Sequence, residues 1–165
     1  YGYKAWKPET MPLDSYLSET LSTEFLGTLY SKVKVKPDQK DMMTAYYLEG
    51  EQQVEYNLSG QLKNTFYERS YLAKKDKYSV YFNGNQPVTK IKGYGSNGKL
   101  LIVKDSYANT FAQFAVADYE EVHLIDLRSF NMELSQYIDM MQIDEVLVLY
   151  NFKNFTEDKN LYLVR

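Results

Sequence analysis

Three short apolar runs in the last third of the chain, separated by helical segments, constrain its fold more than any other feature. They occupy residues 100–104, 122–127 and 146–150 and have the continuous apolar character of strands buried on both faces. The intervening segments carry apolar residues at the spacing of one helical face. This alternation predicts a βαβαβ unit over residues 99–152, the parallel core of a three-layer, flavodoxin-like α/β fold.

The two helices of this unit are indicated by the spacing of particular side chains. Residues 109–117 place Phe111, Phe114 and Ala115 on one helical face. In the second helix the apolar side chains recur at intervals of three and four, and they are Leu134, Tyr137, Ile138 and Met141. We therefore expect each helix to pack one apolar face on the sheet.

Residues 1–40 are expected to be helical or irregular. A helix begins at Asp14 or Ser15, which have side chains suited to an N-cap, and runs to about Leu21. A turn is predicted at Pro37. This segment is the first part of an N-terminal region with mixed α and β structure.

Residues 41–92 complete this mixed region, and residues 93–155 form the parallel core. Aromatic and β-branched content predicts antiparallel strands at 45–48, 53–58 and 78–82. The sequence has no internal repeat and no sign of a second domain, so we predict a single domain over residues 1–165. The chain begins with Tyr1 and has no signal peptide, and we expect it to be an incomplete domain from a longer protein.

Charge and cysteine content exclude several classes of function. The net charge is -3 and no Lys/Arg-rich run occurs, so binding to nucleic acid is not predicted. The absence of cysteine excludes disulfides, thiol catalysis and cysteine metal sites. With one histidine, a metal site would depend on carboxylates, so we predict neither a metal nor a cofactor. The 17 tyrosines suit packing between strands and also carbohydrate contact.

Residues 93–99 read GYGSNGK and resemble a phosphate-binding loop. Such a loop follows a strand, opens a helix and continues with Ser or Thr, whereas here Leu100 follows and a strand begins. The segment is therefore predicted to be a glycine-rich turn that leads into the first core strand.

Polar residues follow the core strands where an active site of an open α/β sheet is expected. With the first strand between the second and the third, Ser106 and Asn151 leave neighbouring strands at the point where strand order reverses. The N–H of Ser106 and the amide of Asn151 would form an oxyanion hole beside a serine nucleophile. In the alternative interpretation, Asp105 and Ser106 simply cap the following helix.

His123, the only histidine, is not predicted to be the base for Ser106. It lies near the amino end of the second strand, beside about Leu101 of the first. Five further residues at ~3.3 Å each place Ser106 roughly 16 Å away, far beyond hydrogen-bond reach. We expect His123 to be a packed strand residue.

At this point the sequence resembles the carboxy-terminal part of the bacterial DHHW family. The matching stretches run from about Leu21 to Phe155, and they are STEFLGTLYSKV, YSVYFNGNQPVTKI, KLLIVKDSYANTFAQF, YEEVHLIDLRSF and DEVLVLYNF. The resemblance implies an SGNH-like hydrolase fold, similar to proteins that O-acetylate alginate in the periplasm. It also implies that the catalytic Asp and His precede the serine, in a motif that these 165 residues lack.

Carried over residue by residue, the resemblance implies that Ser106 is the nucleophile and Asn151 an oxyanion residue. Asn85 would be a further oxyanion or substrate contact. The sequence departs from the family pattern at Lys104, where the usual motif is Gly-Asp-Ser. Because glycine allows close backbone approach, this departure puts the local geometry of the motif in question.

The resulting prediction is a fragment of a cell-envelope or extracellular serine O-acyl esterase or O-acyltransferase. Its partners would be an acylated carbohydrate or acyl donor and the missing N-terminal region, and an exposed sheet edge would allow a homodimer. The fragment alone is expected to be inactive. One alternative is a non-catalytic module that binds glycan or protein. Another is a flavodoxin-like signalling domain with a divalent metal at Asp105 or Asp126.

Overall fold

A mixed sheet with helices on both faces organises the part of the chain that the structure describes. The computed structural model describes residues 11–27, 30 and 38–164. Its strands are β1 (Leu17–Phe25), β2 (Asp41–Tyr47), β3 (Val54–Tyr56), β4 (Leu62–Lys63), β5 (Val88–Lys92), β6 (Lys99–Lys104), β7 (Glu121–Ile125) and β8 (Glu145–Leu149). Its α-helices are α1 (Ala108–Ala115), α2 (Leu134–Met141) and α3 (Phe152–Glu157). The 3-10 helices are Leu13–Ser15, Arg69–Ala73, Lys77–Val80 and Leu161–Val164.

The predicted βαβαβ unit is confirmed. Strand β6 lies between β7 and β8 and is parallel to both, and α1 and α2 form the crossovers. Leu101 pairs with His123 on one side and with Val146 on the other. The sheet order thus reverses at β6, and the carboxyl ends of β6 and β8 meet at one edge.

Strands β3, β4 and β5, which precede this unit, extend the same sheet. The sheet order is β4-β3-β5-β7-β6-β8, and β5 pairs antiparallel with β7. Strand β5 starts at Val88, which lies opposite Ile125, the last residue of β7. The turn between Tyr81 and β5 therefore lies at the edge of the sheet where β6 ends. The antiparallel pairs expected in residues 41–92 are therefore present.

Two clusters of buried side chains, one on each face of the sheet, give the fold its three layers. Along β6, Leu100 and Ile102 pack in the cluster with α1, whereas Leu101 and Val103 pack in the cluster with α2. This alternation follows from the two-residue period of a strand. Strands β1 and β2 pair antiparallel in a second sheet, and Met43 and Ala45 of β2 belong to the α1 cluster.

The predicted helix from Asp14 or Ser15 to Leu21 is wrong. A single 3-10 turn, Leu13–Ser15, is followed by β1, which pairs antiparallel with β2. The segment LSETLSTEF is rich in Ser and Thr, which compete for backbone hydrogen bonds in a helix interior, and Thr also favours strands. Pairing with β2 determines that this segment forms a strand and not a helix. Residues 1–10 and the turn predicted at Pro37 lie outside the described residues.

The strand predicted at 78–82 is also wrong. Lys77–Val80 is a 3-10 helix, and Tyr81 makes only an isolated bridge with Tyr67. Phe82 and Asn83 have φ of 51° and 57°, so the chain turns where a strand would continue. The apolar side chains are buried by this turn rather than by a pleated ladder.

The GYGSNGK stretch is a turn that leads into β6, as predicted. A Cβ added at Gly93 would lie 2.0 Å from the carbonyl oxygen of Tyr119, and one at Gly95 would lie 2.1 Å from the carbonyl oxygen of Asp118. The glycines are needed for close packing against the loop before β7. This packing accounts for them, so a role in phosphate binding is not needed to explain them. Among the described residues, no helix has the length and apolar character required to cross a membrane.

Candidate active site

Ser106 lies in the turn between β6 and α1, at the edge where β6 and β8 end. It is half-buried, and the next residue, Tyr107, is 61% exposed. Its carbonyl oxygen accepts a bond from the N–H of Asn109 at 3.3 Å. Its hydroxyl and its own N–H make no hydrogen bond to any residue that the structure describes. Both groups are therefore free to act on a ligand.

Asp105 holds this turn in place. The carboxylate is 1% exposed, and its Oδ1 accepts a hydrogen bond from the N–H of Tyr107 at 2.9 Å. Its Oδ2 accepts from the N–H of Asn151 at 2.8 Å and from Nδ2 of Asn154 at 2.7 Å. One side chain thus joins the exit of β6 to the exit of β8. The hydrogen bond to the N–H of Tyr107, just before α1, is therefore made by the side chain of Asp105 and not by the hydroxyl of Ser106.

Asn85 contacts Lys104 and Asn109, which lie on either side of Ser106 in the chain. Its Oδ1 accepts from Nζ of Lys104 at 3.2 Å and from Nδ2 of Asn109 at 3.3 Å. Asn85 itself is exposed, and its Nδ2 makes no hydrogen bond within the described ranges. The preceding Gly84 has φ of 77°, and a Cβ there would lie 2.9 Å from Oγ of Ser79. The turn therefore requires a glycine to deliver Asn85.

Lys104 is a buried lysine at the end of β6. It is 1% exposed, and burial lowers the pKa of its ammonium to about 8, because a charged group loses solvation in the protein interior. The carboxylates of Asp126 and Asp105 act in the opposite direction, and the charge of Arg128 lowers the pKa further. The ammonium group of Lys104 thus places a positive charge next to the side-chain amide of Asn85.

Asn151 occupies the N-cap of α3. Its Oδ1 accepts from the N–H of Lys153 at 3.0 Å, and its own N–H is bonded to Asp105. The remaining donor is Nδ2, which has no partner among the described residues. The contacts of Asn151 are those of a helix cap and an anchor for Asp105. Its role as an oxyanion donor stays a prediction that would rest on Nδ2.

The packing of His123 agrees with its predicted place in the strand. The side chain is 0% exposed, and its Nδ1 and the hydroxyl of Tyr137 are 2.8 Å apart. Its Nε2 lies 3.1 Å from Oε2 of Glu121. Because His123 pairs with Leu101, five residues before Ser106, it lies far from the free hydroxyl. Burial lowers the pKa of the imidazole, and the carboxylate of Glu121 opposes this effect.

His123 should make the protein sensitive to acid. Its folded-state pKa lies below that of an exposed histidine, so its contribution to stability is present above pH 6.5 and is lost as the pH falls through the folded value. We expect the wild type to lose more stability than His123→Gln between pH 7 and pH 5, because only the wild type has this buried imidazole. Urea unfolding at the two pH values measures this. Equal losses in both proteins would contradict the assignment.

The two strand-end carboxylates considered for a metal are engaged with nitrogen donors. Both oxygens of Asp105 accept N–H groups, and Asp126 accepts from Nε of Arg128 at 2.8 Å and from its terminal nitrogen. Within residues 11–27, 30 and 38–164, no group of three or more His, Asp or Glu side chains is placed to hold a metal ion. These contacts give Asp105 and Asp126 structural roles in orienting loops.

An open cleft of about 300 Å³ adjoins the site on the β8 side. It is lined by Asp105, Arg128, Tyr150 and Asn154, together with residues 157–160. The hydroxyl of Tyr150 donates to Asp158 at 3.3 Å. The cleft shares Asp105 with the serine turn, so a ligand that occupied it would lie next to the Ser106 loop.

Three residues of the site were not identified as functional from the sequence. They are Asn109, Asn154 and Lys104, of which only Lys104 stands out in the sequence, as a departure from the glycine of the family motif. A usable signal existed, because Asn109 follows Ser106 at the three-residue spacing of a helix turn and Asn154 follows Asn151 at the same spacing. Their partners, however, lie 24 and 49 residues away in the chain, a pairing that a single sequence does not reveal.

Several solved structures share this fold. A DHHW family protein from Eubacterium siraeum is 23% identical, with a TM-score of 0.77 over 93% of this chain and 54% of its own. PatB1 from Bacillus cereus is 20% identical, with a TM-score of 0.68 over 93% of this chain and 54% of its own. A structure of PatB1 with a sulfonyl adduct is 18% identical, with a TM-score of 0.68 over 92% and 52%. The chain therefore has the fold of these proteins and spans about half their length.

No family model matches the sequence. No curated protein matches it either.

Proposed function

We propose that the chain is part of a DHHW-type protein with an SGNH-like centre, and that Ser106 is its nucleophile. One observation carries this proposal. The hydroxyl and N–H of Ser106 have no partner in the described part of the chain, and the exposed Asn85 is held by Lys104 and Asn109, which lie on either side of Ser106 in the chain. Acyl transfer requires a nucleophile beside two converging donors, and the N–H of Ser106 and Nδ2 of Asn85 are the donors we propose.

In the proposed reaction, Oγ of Ser106 forms a bond to the acyl carbon of an ester while a histidine takes its proton. The negative charge that develops on the carbonyl oxygen is accepted by the N–H of Ser106 and by Nδ2 of Asn85. The leaving alcohol departs with the proton from the histidine, which leaves an acyl-serine. Water then completes hydrolysis, or a sugar hydroxyl completes acyl transfer, with the same histidine as the base.

The base would come from a part of the protein outside these 165 residues. His123 is buried, bonded to Tyr137 and Glu121, and distant from Ser106. The chain spans about half the length of the solved structures of the same fold, so a longer protein has room for a further catalytic segment. An Asp-His motif before the serine, as the family resemblance implies, would complete the triad.

The proposed substrate is an acylated carbohydrate of the cell envelope, and the protein would act at the cell surface or outside the cell. This follows from the resemblance to DHHW proteins. The structure of PatB1 with a sulfonyl adduct supports the proposed nucleophile and not the substrate, since sulfonyl reagents react with activated nucleophiles such as a catalytic serine.

The test uses the full-length gene product and an aryl acetate, with release of acetate as the measurement. Ser106→Ala is expected to lower the rate at least about 10³-fold. Ser129→Ala is the matched control, because Ser129 also follows a core strand, is exposed and bonds only to the carbonyl oxygen of Asp126, at 3.5 Å. It should leave the rate within about twofold. Equal rates for Ser106→Ala and wild type would contradict the proposal.

A non-catalytic glycan-binding module is the second candidate, and exposed aromatic rings near the site favour it. Tyr107 is 61% exposed and Phe152 is 81% exposed, and they follow β6 and β8 respectively. Exposed aromatic faces suit stacking on sugar rings. This function predicts glycan binding that Ser106→Ala leaves unchanged and that Tyr107→Ala or Phe152→Ala weakens, with no acetate release by the wild type.

A further inference from the structure

Lys104 occupies a position where a positive charge is costly. It is the last residue of β6, and it shares a sheet face with Leu100 and Ile102, which pack in the α1 cluster. A lysine there loses nearly all contact with water. Burying an ammonium group lowers the stability of the fold unless hydrogen bonds and opposite charges compensate for its lost hydration.

Lys104 donates a hydrogen bond to Asn85. The Nζ of Lys104 and the Nδ2 of Asn109 both donate to Oδ1 of Asn85, at 3.2 Å and 3.3 Å. The carbonyl end of the Asn85 amide is therefore the end that Lys104 and Asn109 hold, and its NH₂ end has no partner among the described residues. This is the end that the proposed reaction uses.

Lys104 fixes that orientation. An amide such as Asn109 has a donor end and an acceptor end, so the pair of asparagines alone would permit either arrangement. An ammonium group donates and cannot accept, so Asn85 must present its oxygen to Lys104, and Asn109 must then present its NH₂. The Oδ1 of Asn109 is left buried with no hydrogen-bond partner in the described part of the chain.

We propose that Lys104 is a positioning residue that directs the donor end of the Asn85 amide toward the oxyanion formed at Ser106. The reaction at Ser106 belongs to the proposed function, on which this inference rests. The charged groups that act on Lys104 are Asp105 at the end of β6, and Asp126 and Arg128 after β7. Asp126 is engaged by Arg128, so the ammonium keeps its free donors for Asn85.

The test follows the side-chain amide of Asn85 by NMR in full-length protein labelled with ¹⁵N-asparagine. The signal is assigned by its disappearance in Asn85→Ala. Between pH 6.5 and pH 9.5 the wild-type signal should shift with a midpoint near 8, because that is where burial places the pKa of Lys104. In Lys104→Arg the signal should stay at its low-pH position, since arginine remains charged.

In Lys104→Met the signal should be independent of pH. The side-chain signal of Asn64, which is exposed and has no partner among the described residues, is the control and should not shift in any variant. An Asn85 signal at pH 6.5 that is the same in the wild type and in Lys104→Met would overturn the inference. So would a signal that titrates unchanged in Lys104→Met, because another group would then be responsible.

Kinetics separate this inference from the proposed function. With the aryl acetate, Lys104→Met should lower kcat about tenfold with little change in KM, since the lost interaction belongs to the transition state, and Lys104→Arg should recover most of it. If the wild type has no activity, the proposed function fails, while the amide titration still decides whether Lys104 orients Asn85. If the wild type is active and Lys104→Met matches it, the positioning role is overturned and Ser106 stands.

Discussion

Replacing Asp105 with alanine is expected to lower the free energy of unfolding by about 4 kcal/mol. The carboxylate is buried and accepts three hydrogen bonds, from the N–H groups of Tyr107 and Asn151 and from Nδ2 of Asn154. Its removal leaves three donors without an acceptor and separates the turn after β6 from the start of α3. Hydrogen bonds to a charged acceptor are worth more than neutral ones, which is why the expected loss is large.

Urea unfolding measures this loss, and two further variants calibrate it. Asn154→Ala removes one donor and leaves the other two bonds in place, so about 1 kcal/mol is expected. Asp139→Ala removes an exposed carboxylate of α2 and should change stability by less than about 0.5 kcal/mol. If Asp105→Ala were no more destabilising than Asn154→Ala, Asp105 would not be the link between the two strand ends.

Lys104→Met should stabilise the protein by about 3 kcal/mol at pH 7. Burial lowers the pKa of Lys104 from 10.5 to about 8. Between these values the unfolded chain holds a proton that the folded protein has released, so the stability of the wild type rises with pH through this window. The methionine variant has no such group. Its advantage over the wild type should therefore shrink as the pH rises from 8 to 10.5.

The difference in unfolding free energy between the two proteins, measured in urea from pH 7 to pH 10, tests this prediction. Titration of tyrosines at high pH affects both proteins alike and cancels in the difference. Lys92→Met, a substitution at an exposed position of β5, is the control and should change stability by less than about 0.5 kcal/mol. A difference for Lys104→Met that did not change with pH would contradict a depressed pKa. A variant that is more stable but less active would show that Lys104 is retained for function at a cost in stability.

The parallel core could be predicted because its signals are local. Strands buried on both faces are continuous apolar runs, and the helices between them have a regular apolar period, so 99–152 could be assigned from a single sequence. The strand order then placed His123 beside Leu101 and removed it from the site. These assignments need no knowledge of distant contacts.

The N-terminal region was harder to predict because tertiary pairing decides its structure. The segment 17–25 is a strand only because β2 pairs with it, and Tyr81 and Phe82 are buried by a turn with positive φ rather than by a strand. Strand β5, which delivers Asn85 to the site, was not predicted. The details of the site were missed for the same reason, since Asn85 and Lys104 meet across 19 residues.

Covalent labelling of Ser106 tests the central claim most directly. Full-length protein is treated with a fluorophosphonate or a sulfonyl fluoride, digested, and mapped by mass spectrometry. The proposed function predicts one adduct, on the peptide that carries Ser106, which is absent in Ser106→Ala and present in Ser129→Ala. No adduct on the wild type, or an adduct that persists in Ser106→Ala, would contradict the assignment of Ser106 as the nucleophile.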